Sequence, residues 1–156
     1  MYDVDMVMIP EEYVAYLHTT GPISGLRDLM TRLYAALDAA GVAPAGPPMA
    51  RFFDAEFDPE KTEFEVCVPI APGPDGSIPD AIGEAQTDLI PAHQAMVTAH
   101  RGPYSTAHLS YEALSEELNR FGYAVAGPAT EVFLTGPEST SDPNEYVTEV
   151  RMPVTR

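Results

Sequence analysis

Two glutamates occupy matching places in two similar stretches, Glu65 in EFEVCVPI and Glu149 in EYVTEVRMPV. Both stretches alternate as strands do. Glu63, Glu65 and Cys67 share one face of the first, and Phe64, Val66 and Val68 the other. Val147, Glu149 and Arg151 share the corresponding face of the second. The apolar faces are expected to lie on helices, which leaves the glutamates to line a cleft. A partly desolvated carboxylate among aromatic rings suits an organic cation: it supplies charge, and ring faces supply cation–π and apolar contact. The plainer reading is a solvent-facing glutamate, since one face of an antiparallel sheet is often wet. Arg151, two residues from Glu149, can pair with it or with Glu65. A paired glutamate has a lowered pKa and a weaker claim on a ligand cation. If Arg151 fills the cleft, neutral or anionic ligands fit better.

Aromatic residues are the second group. Tyr104 follows Gly102-Pro103 where a cleft mouth is expected, and Tyr111, Phe53, Phe133, Tyr146 and Tyr16 are further candidates. Tyrosine offers an apolar body and a polar tip, although most aromatics of a small domain are core. Phe52 and Phe133 occupy equivalent positions and suggest a shared packing role, whereas Phe53 has the opposite parity and is expected to face the cleft. The histidines, His18, His93, His100 and His108, form no helix-spaced pair and no HExxH, so no metal site is expected. His100 ends a strand beside Tyr104 and could orient it, but the plainer reading, a solvated or core histidine, is preferred. Cys67 has no histidine partner by spacing and reads as a small buried residue. No glycine-rich phosphate loop leads a strand into a helix, and AGPP and AGPA are turns whose prolines lack the needed N–H groups. No cofactor is expected.

The elements that position these residues repeat. At an offset of 81, Ile9-Pro10 falls on Ile90-Pro91, Gly21-Pro22 on Gly102-Pro103, Leu33 and Leu37 on Leu114 and Leu118, and Ala45-Gly46-Pro47 on Ala126-Gly127-Pro128. After Phe53 the offset becomes 84, and Glu65-Val66 falls on Glu149-Val150 and Pro69 on Pro153. Each copy reads as strand–helix–strand–strand. The strands are expected at Tyr13–Thr19, Ala50–Phe57 and Glu63–Val68, and at Gln94–Arg101, Thr130–Thr135 and Glu145–Met152. Helices are expected over Ser24–Ala40 and Ser105–Phe121, each with proline in its first turn and a glycine, Gly41 or Gly122, at its end. One helix against three strands leaves an incomplete core that a second copy completes. The expectation is an α+β fold with a pseudo-twofold repeat and a single domain over 1–156. Repeat one covers about 5–70, a Pro-, Gly- and Asp-rich connector about 71–87, and repeat two about 88–156.

The chain has 156 residues, 45% of them hydrophobic, with 8 Lys+Arg against 24 Asp+Glu and a net charge of −16. That hydrophobic content supports a core rather than disorder. The scattered basic residues argue against direct nucleic-acid binding and against anionic membranes, and favour cationic partners. One cysteine excludes an internal disulfide and a cysteine-cluster zinc site. No apolar run spans a membrane and the start is acidic, so a cytoplasmic location is expected.

The order and spacing of HRGPY at His100–Tyr104, Ala126-Gly127-Pro128 and the strand ending Glu149-Val150-Arg151-Met152-Pro153-Val154, all within a duplicated unit, resemble the GyrI-like family in its standalone form. This family is also called the bacterial transcription-activator effector-binding domain. The resemblance implies a curved antiparallel sheet, two helices behind it and a concave cleft between the repeats. It implies non-enzymatic binding of a small cationic or amphipathic molecule, in ligand sensing or sequestration during a stress or antibiotic response. It places the ligand-contacting acid on the last strand, at Glu149. Some relatives carry a helix-turn-helix; here the repeats use up the chain, so any regulation is expected to act through another polypeptide. An alternative is hydrolysis of an electrophilic, cyclopropane-type toxin, with Glu149 handling water and Tyr104 or Tyr111 as acid. Another is an interaction with DNA gyrase through the acidic surface.

Overall fold

The computed structural model describes residues 2–54, 58–137 and 139–156. Along the chain run β1 (Asp5–Ile9), β2 (Glu12–Gly21), α1 (Leu26–Ala39), β3 (Met49–Phe52), β4 (Thr62–Pro69), β5 (Ala81–Ile82) and β6 (Ala85–Ile90). They continue as β7 (His93–Arg101), α2 (His108–Phe121), β8 (Ala124–Val125), β9 (Ala129–Thr135) and β10 (Val147–Thr155). The chain divides into a first unit, Pro10–Ala92, and a second unit formed by the chain up to Ile9 together with His93–Arg156. Strands of the first unit lie in the order β3-β4-β2-β6-β5, and those of the second in the order β1-β7-β10-β9, with β8 against the end of β10. These pairings are antiparallel, so the fold is α+β.

The duplication survives as matched side-chain rows. In the first unit Leu17, Val66 and Ala50 stand abreast, as do Thr19, Phe64 and Phe52. In the second, Thr98, Val150 and Glu131 form the equivalent of the former row, and His100, Thr148 and Phe133 that of the latter. Because strand side chains alternate, these rows share the face that carries the helix. Leu29, Leu33 and Leu37 of α1 close on Leu17, Phe64, Val66 and Val68. Leu114 and Leu118 of α2 close on Met96, Val150 and Val154. The Ala-Gly-Pro turns serve one purpose in both copies. Ala45 and Ala126 each donate an N–H to the carbonyl of the last strand's proline, Pro69 or Pro153, at 2.8 Å. A Cβ on Gly46 or Gly127 would sit 3.2 or 3.3 Å from that proline ring, so glycine permits the close approach.

Three expectations are corrected. Pro22 and Pro103 are extended, with ψ of 139° and 154°, and stand ahead of single 3-10 turns at Ile23–Gly25 and Tyr104–Thr106. The helices therefore start later, at Leu26 and His108. The stretch expected as a connector contains β5 and the start of β6; its Pro and Gly residues conceal a short hairpin turned by Gly83 at φ +60°. Strand β1, expected in repeat one, pairs with β7 of the second unit, while β6, which leads into repeat two, pairs with β2 of the first. The two copies thus exchange their leading strands. Of the strand expected over 50–57, residues 55–57 lie outside the described residues. Among the described residues no helix is long and apolar enough to cross a membrane.

Leu33 and Leu114 are equivalent and fully buried. Leu33→Ala and Leu114→Ala are each expected to cost about 2–5 kcal/mol, read from the midpoint of urea unfolding.

Candidate functional site

The first unit assembles a charged row on the sheet face away from α1. His18, Glu65 and Arg51 stand abreast on β2, β4 and β3. Glu65 is 6% exposed. Arg51 donates to it at 2.8 Å, His18 Nδ1 lies 3.3 Å away, and the Cys67 thiol donates to it at 3.4 Å. His18 Nε2 also reaches Glu63 at 2.9 Å. Phe53, of opposite parity to Phe52, borders this row: its ring centroid lies 5.2 Å from that of His18 and 5.5 Å from the Arg51 guanidinium carbon. Tyr16 stands opposite Cys67 and donates to Gln86 at 2.9 Å. Burial pushes the Cys67 thiol well up, and burial followed by the charge of Glu65 pushes up the Tyr16 phenol.

In the second unit the equivalent row is Ala99, Glu149 and Val132. The arginine comes instead from the same strand: Arg151 Nε donates to Glu149 at 2.6 Å. Side-chain exposures are 28% for Glu149 and 21% for Arg151. Glu65 and Glu149 therefore sit on equivalent faces, each with an arginine, and Arg151 is bonded to Glu149 rather than to Glu65.

The opposite face of the second unit holds a different carboxylate. Glu131 stands beside Val150, in the layer between α2 and the sheet, where the first unit has Ala50. Tyr111 of α2 donates its hydroxyl to Glu131 at 2.6 Å. Among the described residues Glu131 has no arginine or lysine within ion-pair distance. Loss of water pushes its carboxyl above the ordinary value of 4.5, and neither the Tyr111 hydrogen bond nor the nearby His100 cancels that rise. Burial and then the charge of Glu131 push the Tyr111 phenol far up, so it stays protonated and donating.

The polar substitutions continue around this pair. Thr98 replaces Leu17, Ser110 replaces Leu29, and Thr148 replaces Phe64. Thr98, Ser110 and Thr148 are buried, and among the described residues the Thr148 hydroxyl has no hydrogen-bond partner. A buried polar atom without a partner is costly. His100 is a core histidine: Nε2 donates to the Pro103 carbonyl at 3.0 Å, and Nδ1 meets the Tyr2 hydroxyl at 2.8 Å. Tyr2 is thus an aromatic partner of His100.

Several of the expected site residues come together here. Glu131 and Phe133 share a face of β9. Phe133 meets the Tyr104 ring edge-on at a centroid distance of 5.9 Å, and Tyr104 meets Tyr146 at 5.1 Å. Tyr111 thus bonds Glu131, and Tyr104, Phe133 and Tyr146 form one aromatic group in the same unit, whereas Tyr16 and Phe53 belong with Glu65 in the other unit. Tyr111 and Glu149 lie on opposite faces of the sheet, which corrects their expected pairing as acid and base. The sequence reading missed Glu131, Arg51 and His18. Applying the strand alternation to ATEVFLT, and aligning Glu131 with Ala50, would have placed a carboxylate on the helix side. Among the described residues no group of three or more His, Cys, Asp or Glu is arranged to hold a metal ion.

A family model described as the GyrI-like small molecule binding domain matches residues 2–155. No protein with a curated description matches the chain in sequence. The crystal structure of the EcmrR C-terminal domain is similar with a TM-score of 0.90 and 22% identity, covering 100% of this chain and 99% of that one. A cryo-EM structure of EcmrR with DNA gives 0.89 and 22%, covering 99% of this chain, which spans only 58% of that longer one. A hydrolase encoded by lin2189 from Listeria innocua gives 0.72 and 16%, covering 97% and 91%. SAV2435, in a structure bound to tetraphenylphosphonium, gives 0.64 and 13%, covering 98% and 94%.

A carboxyl whose pKa is raised by folding binds protons more readily in the native state, so its contribution to stability falls as pH rises through the interval between its unfolded and native values. Glu131→Gln is therefore expected to stabilise the protein above that interval. The difference should vanish toward about pH 3, below both values, in urea unfolding followed across pH. Arg51→Met should cost about 3 kcal/mol by stranding buried Glu65. Arg151→Met should cost about 1 kcal/mol or less, since that pair is wetter; the same unfolding assay compares them.

Proposed function

The chain belongs to the GyrI-like small molecule binding domain family, and from that premise we propose that it binds a small organic cation or amphipathic molecule beneath α2 of the second unit. The observation that carries this reading is Glu131: a carboxylate with no cationic partner among the described residues, in a helix–sheet layer where the duplicate copy has alanine. Leaving such a group in a core lowers stability, and a ligand that supplies the missing charge recovers it. Tyr111 holds the carboxylate in position. Tyr104, 42% exposed, forms with Phe133 and Tyr146 an aromatic group suited to apolar and cation–π contact. The Thr148 hydroxyl offers a further polar contact. Glu65 and Glu149, each bonded to an arginine, have a weaker claim on a cation. The tetraphenylphosphonium bound by SAV2435 is a cation of this class. Sensing or sequestering such molecules in a stress or antibiotic response is the cellular role this chemistry serves.

A second reading is hydrolysis, favoured by the contact between Tyr111 and Glu131: Glu131 takes a proton from water as its oxygen bonds to a strained-ring carbon, the ring carbon–carbon bond breaks, and the carbon that keeps the electron pair takes a proton from solvent; the Listeria innocua neighbour is named a hydrolase. The raised phenol pKa makes Tyr111 a poor proton donor, which favours binding.

Titrating the protein with tetraphenylphosphonium by calorimetry is expected to give saturable binding that weakens as pH falls and Glu131 takes up its proton. Glu131→Gln should weaken it at least about tenfold, equivalent to roughly 1.4 kcal/mol, and Glu149→Gln should leave it close to unchanged. Full affinity in Glu131→Gln overturns the assignment, and turnover of an electrophilic substrate lost in that variant replaces binding with hydrolysis.

A further inference from the structure

A groove of about 250 Å³ lies in the second unit among Val4, Met96, Glu117 and Tyr123, with Met6 and Phe121 at its lip. The duplicate copy shows what such a seat accepts. At the offset of 81, those four positions are Ala85, Ala15, Ala36 and Val42 of the first unit. All four belong to one apolar cluster with Ile82, 3% exposed, and Ile78. Gly83 then passes so close over α1 that a Cβ there would lie 3.4 Å from the Ala36 methyl. The segment carrying these isoleucines continues as β5, which pairs with the outer edge of β6 through Ala81 and Ile82. In the first unit, therefore, a short extended segment both caps the edge strand and drives a branched aliphatic side chain between that strand and the helix.

In the second unit β1 takes the place of β6 and ends its sheet. Among the described residues no strand pairs with its outer edge. Met6, Val7 and Met8 are exposed there, Met8 to 62%, and Phe121 beside the groove is 52% exposed. An apolar edge strand with free backbone groups is a template for another strand. The charge around it narrows the partner. Asp5 and Glu117 line the groove, and Arg156, which lines it too, lies over the Tyr123 ring at 4.8 Å. The chain as a whole carries −16, which opposes a second copy of itself and attracts a basic segment.

We propose that the groove and the free edge of β1 dock an extended segment of a partner protein, anchored by a branched aliphatic side chain and flanked by Lys or Arg. The partner strand adds to β1 as β5 adds to β6, and its anchor takes the place that Ile82 takes in the first unit. This site is separate from Glu131 and does not depend on what binds there.

The test uses the chain's own segment as probe. A labelled peptide with the sequence of Ser77–Gly83, preceded by two lysines, is titrated with the full chain by fluorescence anisotropy. Saturable binding is expected, and Ile82→Ala in the peptide should weaken it at least tenfold with the lysines retained. Met6→Glu and Phe121→Glu, both at exposed positions, should weaken it as much while circular dichroism stays unchanged. Leu89→Glu, on β6, should have no effect. No saturation by about 1 mM, a contact too weak for a specific docking site, overturns the proposal. So does binding that follows the lysines but ignores the isoleucine. A concentration-dependent dimer in sedimentation, abolished by Met6→Glu, assigns the seat to a second copy instead and also overturns it.

Discussion

The side-chain alternation of β4 and β10 constrains everything else in this protein. Each of these strands lies between two neighbours in its own unit, so each residue sits abreast of two others and its face is set for all three. A shift of one residue would send Phe64 and Val66, or Thr148 and Val150, to the side away from the helix and bring Glu65 or Glu149 under it. Burial of the Val and Phe rows against α1, and of Val150 and Val154 against α2, holds the register. The Gly46–Pro69 and Gly127–Pro153 contacts hold its ends.

Within that shared frame the two copies have diverged in a particular place. The first unit fills its helix–sheet layer with Leu17, Leu29, Ala50 and Phe64; the second sets Thr98, Ser110, Glu131 and Thr148 at the same positions. Packing alone gives no reason for the change, since the first copy shows that an apolar layer fits the backbone. Local breaks with packing rules are expected where function requires them. The tyrosine that holds Glu131 stands where α1 has Met30, so the helix changed together with the sheet. The opposite faces diverged differently. Both retain a glutamate bonded to an arginine, but Arg51 comes from the neighbouring strand and Arg151 from the same one.

The exchange of β1 and β6 ties the copies together through the chain itself. Neither strand–helix–strand–strand unit includes all of its own sheet, because the strand leading into each pairs with the other. The exchange also leaves the units unequal at their margins. The segment before β6 is long enough to fold back as β5 over α1, so that edge is closed, while the edge formed by β1 presents methionine and valine side chains.

Much of the architecture was legible in the residues. The offset of 81, the leucine stripes of α1 and α2, the glycines at their ends and the alternation of EFEVCVPI determine two helices, six strands and which face of β4 and β10 meets the helix. These are local properties, carried by periods of 3.6 and 2 and by turn residues. The strands β1, β5, β6 and β8 were not legible, because their pairing partners rather than their own propensity define them. Nor was the state of each carboxylate. Glu65, Glu131 and Glu149 are identical in type and all lie on strands. Only folding determines that Arg51 and His18 reach Glu65, that Arg151 turns back on Glu149, and that Glu131 meets a tyrosine and, among the described residues, no arginine or lysine. Charge pairing depends on side-chain distances in the folded protein, whether the partners are two residues apart, as Arg151 and Glu149 are, or forty-seven, as His18 and Glu65 are. Local periodicity fixes the face of a side chain, while the tertiary structure decides what stands opposite it.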